Sequence, residues 1–494
     1  MKKFYLIAIL LLGSMSYSQV GIGTVTPSAS SALDIQSTTQ GLLTPRMSSA
    51  ERIAISSPAN GLLVYDTTLT SFFYYDTPTT TWIKVAGGKD NRLNYKLIRS
   101  SDVLATVLAT EKTNGGGTKY LLDPLTLYEI NGTINVDLPI EINNAYLIGL
   151  DSGEDKLIKA SGDLFTGTTG GSIRVLTLQA TAGNVFNIIS PSPNQSMILR
   201  DCIVTSSANV GRIQNFALVF VSIVNYVGNA NGIVYENIGR LLLSNAAWFS
   251  SNGGKYETLA GTFNLITKQG GFSEVAGTNI GFDVSANPVI TGDAVIESTV
   301  FSGTLTSGKY VNGYTTGSYS GFNFNNNWSV ISPGIPTEGD AQSTGTVYLN
   351  QSGTTQANTA YPSATNQNNK IIITSGLSSN LFRTNSGQTN RITYIGKKGR
   401  IFQISSGVSF DAVIPALTSN TEYSFFFMKV PASGANEAQV ASETLIDTNS
   451  GFIQSFQVQG SVYLNAGDSV ELWYKRLNSG GQSFKIRSFS MTIR

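Results

Sequence analysis

From about Lys119 the sequence settles into short apolar runs, each stopped by Gly, Asn or Ser, and this texture persists for nearly two hundred residues. The runs include Ala145-Tyr-Leu-Ile-Gly-Leu150, Ile173-Arg-Val-Leu-Thr-Leu178, Leu241-Leu-Leu243, Phe263-Asn-Leu-Ile266 and Val295-Ile-Glu-Ser-Thr-Val-Phe301. Stretches from Met197 to Val204 and from Phe216 to Val221 belong to the same series. Successive runs begin roughly 20 to 30 residues apart, a period that points to a solenoid built from strands. A parallel β-helix meets that demand, because each coil buries its apolar strand faces against the next. Asn187, Asn215, Asn237 and Asn245 are expected at its turns, where asparagine tolerates a left-handed backbone and its amides can stack as ladders. An antiparallel β-sandwich is the competing reading, but its strands recur every 8–12 residues, and the wider spacing favours the β-helix.

The flanking regions differ in texture. Met1-Lys2-Lys3, the apolar run Phe4 to Leu12 and the small residues Ser16-Tyr17-Ser18 have the three-part layout of a Sec signal peptide, with cleavage expected after Ser18. No cysteine follows the run, so the pattern is not that of a lipoprotein. Ser48-Ser-Ala-Glu51 is a capping box for one short helix ahead of Pro58. Gly61-Leu-Leu-Val-Tyr65, Ser71-Phe-Phe-Tyr-Tyr75 and Thr81-Trp-Ile-Lys-Val85 read as strands. Gly87-Gly-Lys-Asp-Asn91 reads as a linker, and residues 102–110 as a helical entry to the solenoid. Beyond Ile371 about eight alternating strands suggest a jelly roll, with hairpins marked by Gly467-Asp468 and Ser479-Gly-Gly481. The expected organisation is a signal peptide over 1–18, an attachment module over 19–88, a β-helix over 89–335, a linker over 336–370 and a jelly-roll head over 371–494. The fold class is therefore all-β: a right-handed parallel β-helix followed by a C-terminal β-sandwich, with a small N-terminal α+β module.

Composition narrows the chemistry. The chain has no histidine, which removes Ser-His-Asp and Cys-His triads, His-ligated zinc and histidine acid–base catalysis together. Its single cysteine, Cys202, cannot form an intrachain disulfide and reads as a small buried hydrophobe. Charged residues are 13% of the chain, about half the usual share. A net charge of +1 leaves no electrostatic footprint for nucleic acid or anionic lipid. No cofactor or metal is implied, and the mature chain carries no membrane span.

Three sets of residues could carry function. Asp201 and Glu236, with Arg200 and Arg240 near them in sequence, could supply the paired carboxylates of a glycan hydrolase or lyase. Strand-end charges facing solvent or pairing with Arg are the plainer reading. Asp151, Glu154 and Asp155 could hold calcium, although Gly153 among them suggests a solvated turn. Tyr310, Tyr314, Tyr319, Phe322, Phe324 and Trp328, spaced among Gly, Asn and Ser, could stack on sugar rings as a ligand-binding surface. The competing reading makes them the cap that closes the last β-helix coil, and it is preferred.

Some stretches resemble known families. Val20-Gly-Ile-Gly-Thr with Leu33-Asp-Ile, Pro45-Arg-Met and Gly61-Leu-Leu-Val-Tyr-Asp66 is similar to a module near the N-terminus of exported Bacteroidetes proteins that also occurs in phage fibres. Tyr128-Glu-Ile-Asn-Gly-Thr-Ile134 and Pro139-Ile140 resemble the opening coils of tailspike-like β-helices. Arg391-Ile-Thr-Tyr-Ile-Gly396, Gly467-Asp-Ser-Val-Glu-Leu-Trp473 and Ser488-Phe-Ser-Met-Thr-Ile493 resemble the jelly-roll tip of trimeric phage fibres, itself similar to complement-C1q and tumour-necrosis-factor heads. The resemblance implies a homotrimer whose distal end binds a surface receptor or glycan. Phage fibres normally lack a signal peptide, so the expected leader favours an exported adhesin on a bacterial surface over a virion component. A glycan-cleaving enzyme is the other class kept open.

Overall fold

A computed structural model describes residues 19–85, 94–350, 357–359, 365–373, 375–387, 389–413, 420–448, 453–479 and 483–494. The expected signal peptide, the linker over 87–91 and the glycines at 480–481 lie outside them. The chain divides into two units, Met1–Leu93 and Asn94–Arg494.

In the first unit, Ser48 caps the helix Ser49–Ile53, and the capping box forms as the residue types require. The Ser48 hydroxyl accepts from the Glu51 N–H at 3.3 Å, and the Glu51 carboxylate accepts from the Ser48 N–H at 2.7 Å. A four-stranded sheet follows, Arg46–Met47, Leu63–Asp66, Ser71–Asp76 and Thr81–Lys84, in chain order. Its first pair is parallel, and the other pairs are antiparallel. The helix turns Arg52 inward and leaves Ile53 exposed. Arg52 lies 4.1 Å over the Phe73 ring and donates to Asp66 at 2.9 Å. Burial alone would raise the Asp66 pKa. The Leu69 N–H, the Ser49 hydroxyl, the Arg52 guanidinium and the Thr68 N–H outweigh it and bring the pKa down to about 2. A separate parallel pair, Val20–Ile22 with Leu33–Ile35, precedes this sheet.

The second unit opens as a parallel β-helix with three walls, as the spacing predicts. The first wall stacks Ile140–Glu141, Phe165–Gly167, Asn184–Ile189, Lys255–Ala260 and Ile280–Asp283 with the leading parts of Asn209–Val227 and Ile233–Trp248. The second wall runs from Tyr95–Arg99 through Leu127–Asn131 and Tyr146–Ile148 to Trp328–Ile331. The third runs from Thr133–Asn135 through Lys156–Lys159 and Thr177–Ala180 to Val300–Ser302.

Adjacent walls meet at corners that turn on one or two residues with left-handed backbone. Val175, Asp201, Ile223, Asn245, Gly270 and Ser298 occupy one corner in successive coils, with φ between 52° and 65°. Asn215, Asn237 and Gly261 occupy another. At Gly261 φ is 74° and a Cβ would sit 2.1 Å from the Asn237 Oδ1, so glycine avoids both backbone strain and a shift of the Asn237 amide. Three of the four asparagines predicted for turns are at corners. Asn187 instead lies inside strand Asn184–Ile189 and donates its amide to Asp163 at 2.7 Å. The stacked amides belong to Asn229, Asn252 and Asn279. Asn229 donates to the Asn252 Oδ1 at 2.9 Å, and Asn279 donates to the Asn252 carbonyl at 3.0 Å.

One apolar core runs inside the coils from Ile98 to Val330. Short helices at Leu104–Val107 and Ala109–Asn114 set Leu104 and Leu108 over its first coil, close to the helical entry expected near 102–110. Cys202 is fully inside, and burial pushes its thiol up to about 12, so it is the inert small hydrophobe its sequence context suggests.

The head is an antiparallel sandwich. One sheet orders Gly376–Phe382, Thr344–Leu349, Ser483–Ile493, Arg400–Val413 and Ile453–Leu464. The other orders Thr384–Asn385, Ile392–Tyr394, Ser469–Arg476, Glu422–Val430 and Glu437–Asp447. Two expectations change here. Residues 336–370, read as a linker, supply Thr344–Leu349, Ala357–Thr359 and Asn368–Lys370 to the two sheets. The turn at Gly467-Asp468 is no hairpin, because Ile453–Leu464 and Ser469–Arg476 belong to opposite sheets.

Candidate functional site

The aromatic segment sits where the β-helix ends and the head begins. Lys309–Asn312 is the last strand of the first wall and Trp328–Ile331 the last of the second. The loop between them folds across the open coil. Tyr314, Phe324 and Trp328 are buried in the β-helix core. Phe324 and Trp328 lie 4.6 Å apart, and Phe282 of the coil below packs edge-on to Trp328 at 6.0 Å. The Trp328 indole donates to the Tyr314 hydroxyl at 2.9 Å, which donates onward to the Pro288 carbonyl at 2.7 Å. Burial pushes the Tyr314 phenol up to about 12. Glu338, wholly buried, accepts from the Asn323 and Phe324 N–H groups at 2.7 and 2.9 Å and pins the loop; burial raises its pKa. Three of the six rings proposed for sugar stacking therefore present no free face. They plug the tube, which is the capping role the segment was also expected to fill.

The remaining rings have other partners. Tyr310 donates to the Gly303 carbonyl at 2.8 Å. Phe322 stacks on Phe382 of the head at 3.8 Å, with ring planes 18° apart. Tyr319 meets Phe382 edge-on at 5.1 Å and donates to the Asn326 Oδ1 at 2.7 Å. Tyr319 borders an open recess of about 470 Å³, lined also by Asn325, Asn326, Asn327 and Ile395.

A polar clasp beside these rings joins the coil end to the head. Arg383, with φ 53° and 3% exposure, pairs with Asp340 at 2.6 Å and donates to the Trp328 carbonyl. Asp340 also accepts from the Lys398 N–H at 2.9 Å. Burial works to raise the Asp340 pKa, but Arg383 and these N–H donors hold it below the usual value. Asn326 donates to the Ile395 carbonyl at 2.7 Å, and Lys397 reaches Asp293 at 2.6 Å. Nothing in the local sequence of Arg383 marked this role, since its partners lie 43 and 55 residues away.

The carboxylate candidates do not converge. Asp201 is a corner residue between the second and third walls and sits 3.6 Å from Arg200. Glu236 stands beside Asn237 at the corner between the first and second walls, paired in register with Gln214 and Ala260, and lies 3.6 Å from Arg212. Both make the arginine contacts of the plainer reading. Asp155 is buried and accepts from the N–H groups of Gly132, Leu150 and Asp151 at 2.6–3.0 Å, while Asp151 accepts from Gly153. Burial opposes the charge on Asp155, yet these donors lower its pKa. Asp155 and Asp151 thus spend oxygens on backbone N–H groups of their own turn and of Gly132 in the neighbouring coil.

A surface that sequence reading missed lies on the outer face of the head. Strand Arg400–Val413 alternates buried Phe402, Ile404 and Val408 with Gln403, Ser405 and Ser409. Gln457, Gln459, Ser488, Ser490 and Thr492 continue the polar row on neighbouring strands, around two shallow recesses. The alternation was visible, but an outward row of hydroxyls and amides looks the same whether it faces water or a partner.

Residues 21–101 match the model of a family described as phage tail like trimerisation region. Comparison with curated proteins gives no match. Among solved structures the chain is similar to "Structure of Eiger TNF from S. frugiperda", at 11% identity and TM-score 0.22, over 31% of this chain and 91% of that one. It is also similar to "Crystal structure of murine APRIL at pH 5.0", at 12% identity and TM-score 0.20, over 31% of this chain and 99% of that one. A trimerisation region of the phage-tail type, followed by a parallel β-helix, fits a fibre-like structural protein. Among the described residues no helix is long and apolar enough to cross a membrane.

Proposed function

We propose that this chain is an exported, trimeric, fibre-like adhesin that presents its sandwich head to a cell-surface or glycan ligand. The observation that carries this reading is the serial order of parts: a trimerisation-type region, a closed parallel β-helix, and a sandwich clasped to its last coil. Each is a spacing or displaying element. The leader-like residues 1–18 support export, and a bacterial surface is the location that leader suggests. Binding is favoured over cleavage because Asp201 and Glu236 stand at different corners with arginine neighbours. Three heads on one stem would raise avidity wherever receptors are dense enough to engage more than one. The polar outer face of the head and the recess beside Tyr319 are the first surfaces to test against glycans.

The deciding measurement is the solution mass of residues 19–494 by light scattering across a dilution series. Three chain masses, held on dilution, is the expected result. A persistent monomer would rule out the trimeric fibre and return attention to polysaccharide cleavage.

A further inference from the structure

The N-terminal sheet has one covered and one uncovered face. Strand register places Val64, Asp66, Phe73, Tyr75 and Trp82 on one side. The helix Ser49–Ile53 covers that side through Arg52, which lies over Phe73 and, at 5.5 Å, over Trp82. The same register places Leu63, Tyr65, Phe72, Tyr74 and Ile83 on the other side, with Asp76 and Thr81 at its end and Arg46 on the edge strand beside Tyr65. None of the five is charged, three are aromatic, and no described helix or strand of the first unit lies over them. Leu63 is 39% and Phe72 42% exposed. Tyr65 and Phe72 already pack edge-on at 5.1 Å, with the Arg46 guanidinium 5.3 Å from the Tyr65 ring.

We propose that this face is the surface on which copies of the chain pack around a three-fold axis. The inference rests on the trimeric reading above and names its contact surface. A four-stranded sheet backed by a five-residue helix has too little core to hold itself firmly, and a lone two-stranded pair such as Val20–Ile22 with Leu33–Ile35 is marginal in water. That pair leaves Val20, Ile22, Leu33 and Ile35 exposed. An apolar and aromatic centre, with Arg46 and Asp76 only at its margin, is the composition of interface centres. The partner is a second and third copy, because the sheet lies within the stretch that matches a trimerisation region. Three identical open faces turned towards one axis close into a shared core with no surface left over.

The test uses residues 19–494 with Phe72→Cys or, as a second position on the same face, Leu63→Cys. Cys202 is buried, so the introduced thiol is the reactive one. A short trifunctional maleimide should give covalent trimer on a denaturing gel for both variants, and none for Thr77→Cys in an exposed turn. Light scattering of the unmodified chain is run alongside. A trimeric mass with no covalent trimer at either position would overturn this surface and leave the trimer standing. A monomeric mass would overturn both.

Discussion

Glu257 and Lys268 face each other inside the β-helix at 2.8 Å, each no more than 2% exposed. The Glu257 carboxylate also accepts from the Trp248 indole at 3.0 Å, and that indole is sandwiched between Tyr226 at 3.9 Å and Tyr256 at 5.2 Å. Removing one charge of such a pair strands the other in a medium that cannot solvate it, whereas removing both is close to neutral. Lys268→Met should therefore destabilise the chain by about 3–5 kcal/mol, with Lys268→Met/Glu257→Gln recovering most of the loss while keeping an acceptor for Trp248. Denaturant unfolding of the two variants checks this, and a double variant no better than the single would refute it. Neither residue stood out in the sequence. Glu257 follows Tyr256 in an ordinary strand pattern, and only the neighbouring coil shows that its side chain points inward.

Corners set the geometry of the elements. Ile223 holds φ 53° with its side chain half exposed, although a β-branched residue disfavours that backbone. Asn245 takes the same position one coil later at φ 52°. Ile223→Asn should stabilise the β-helix by about 1 kcal/mol, seen as a higher midpoint in thermal unfolding; an unchanged or lower midpoint would show that the isoleucine packs better than its backbone suggests. The strands were legible, because apolar spacing reports which residues are buried. The corners were half legible: Asn215, Asn237 and Asn245 were expected there, but Val175, Ile223 and Ser298 carry no such signal. Parallel stacking pairs residues about one coil apart, so the neighbour that decides a side chain's role is remote in sequence. That is why the stacked Asn229, Asn252 and Asn279 were missed. It is also why Tyr314, Phe324 and Trp328, read first as a cap, left a sugar platform open as the second reading. In the head the alternation located strands but not which sheet they join, hence the misread turn at Gly467-Asp468 and the strands hidden in 336–370.

Over the whole second unit, Arg383 decides whether shaft and head behave as one body. Its guanidinium ties Asp340 and the Trp328 carbonyl to the head, while Phe322 stacks on the adjoining Phe382. Arg383→Met should loosen that joint without unfolding either side, so calorimetry should show separate shaft and head transitions and limited proteolysis should cut between 331 and 344. A single unaltered transition would mean that the remaining contacts suffice. The three-walled construction has a mechanical consequence as well. Its hydrogen bonds run along the length of the tube, and its walls join through compact corners, so the cross-section is closed. A closed section resists torsion far better than the same strands laid out as an open sheet. Bending in any direction must stretch at least one wall. A force applied at the head is thus carried down the shaft as by a stiff lever, and breaking it requires all three ladders to part at the same level.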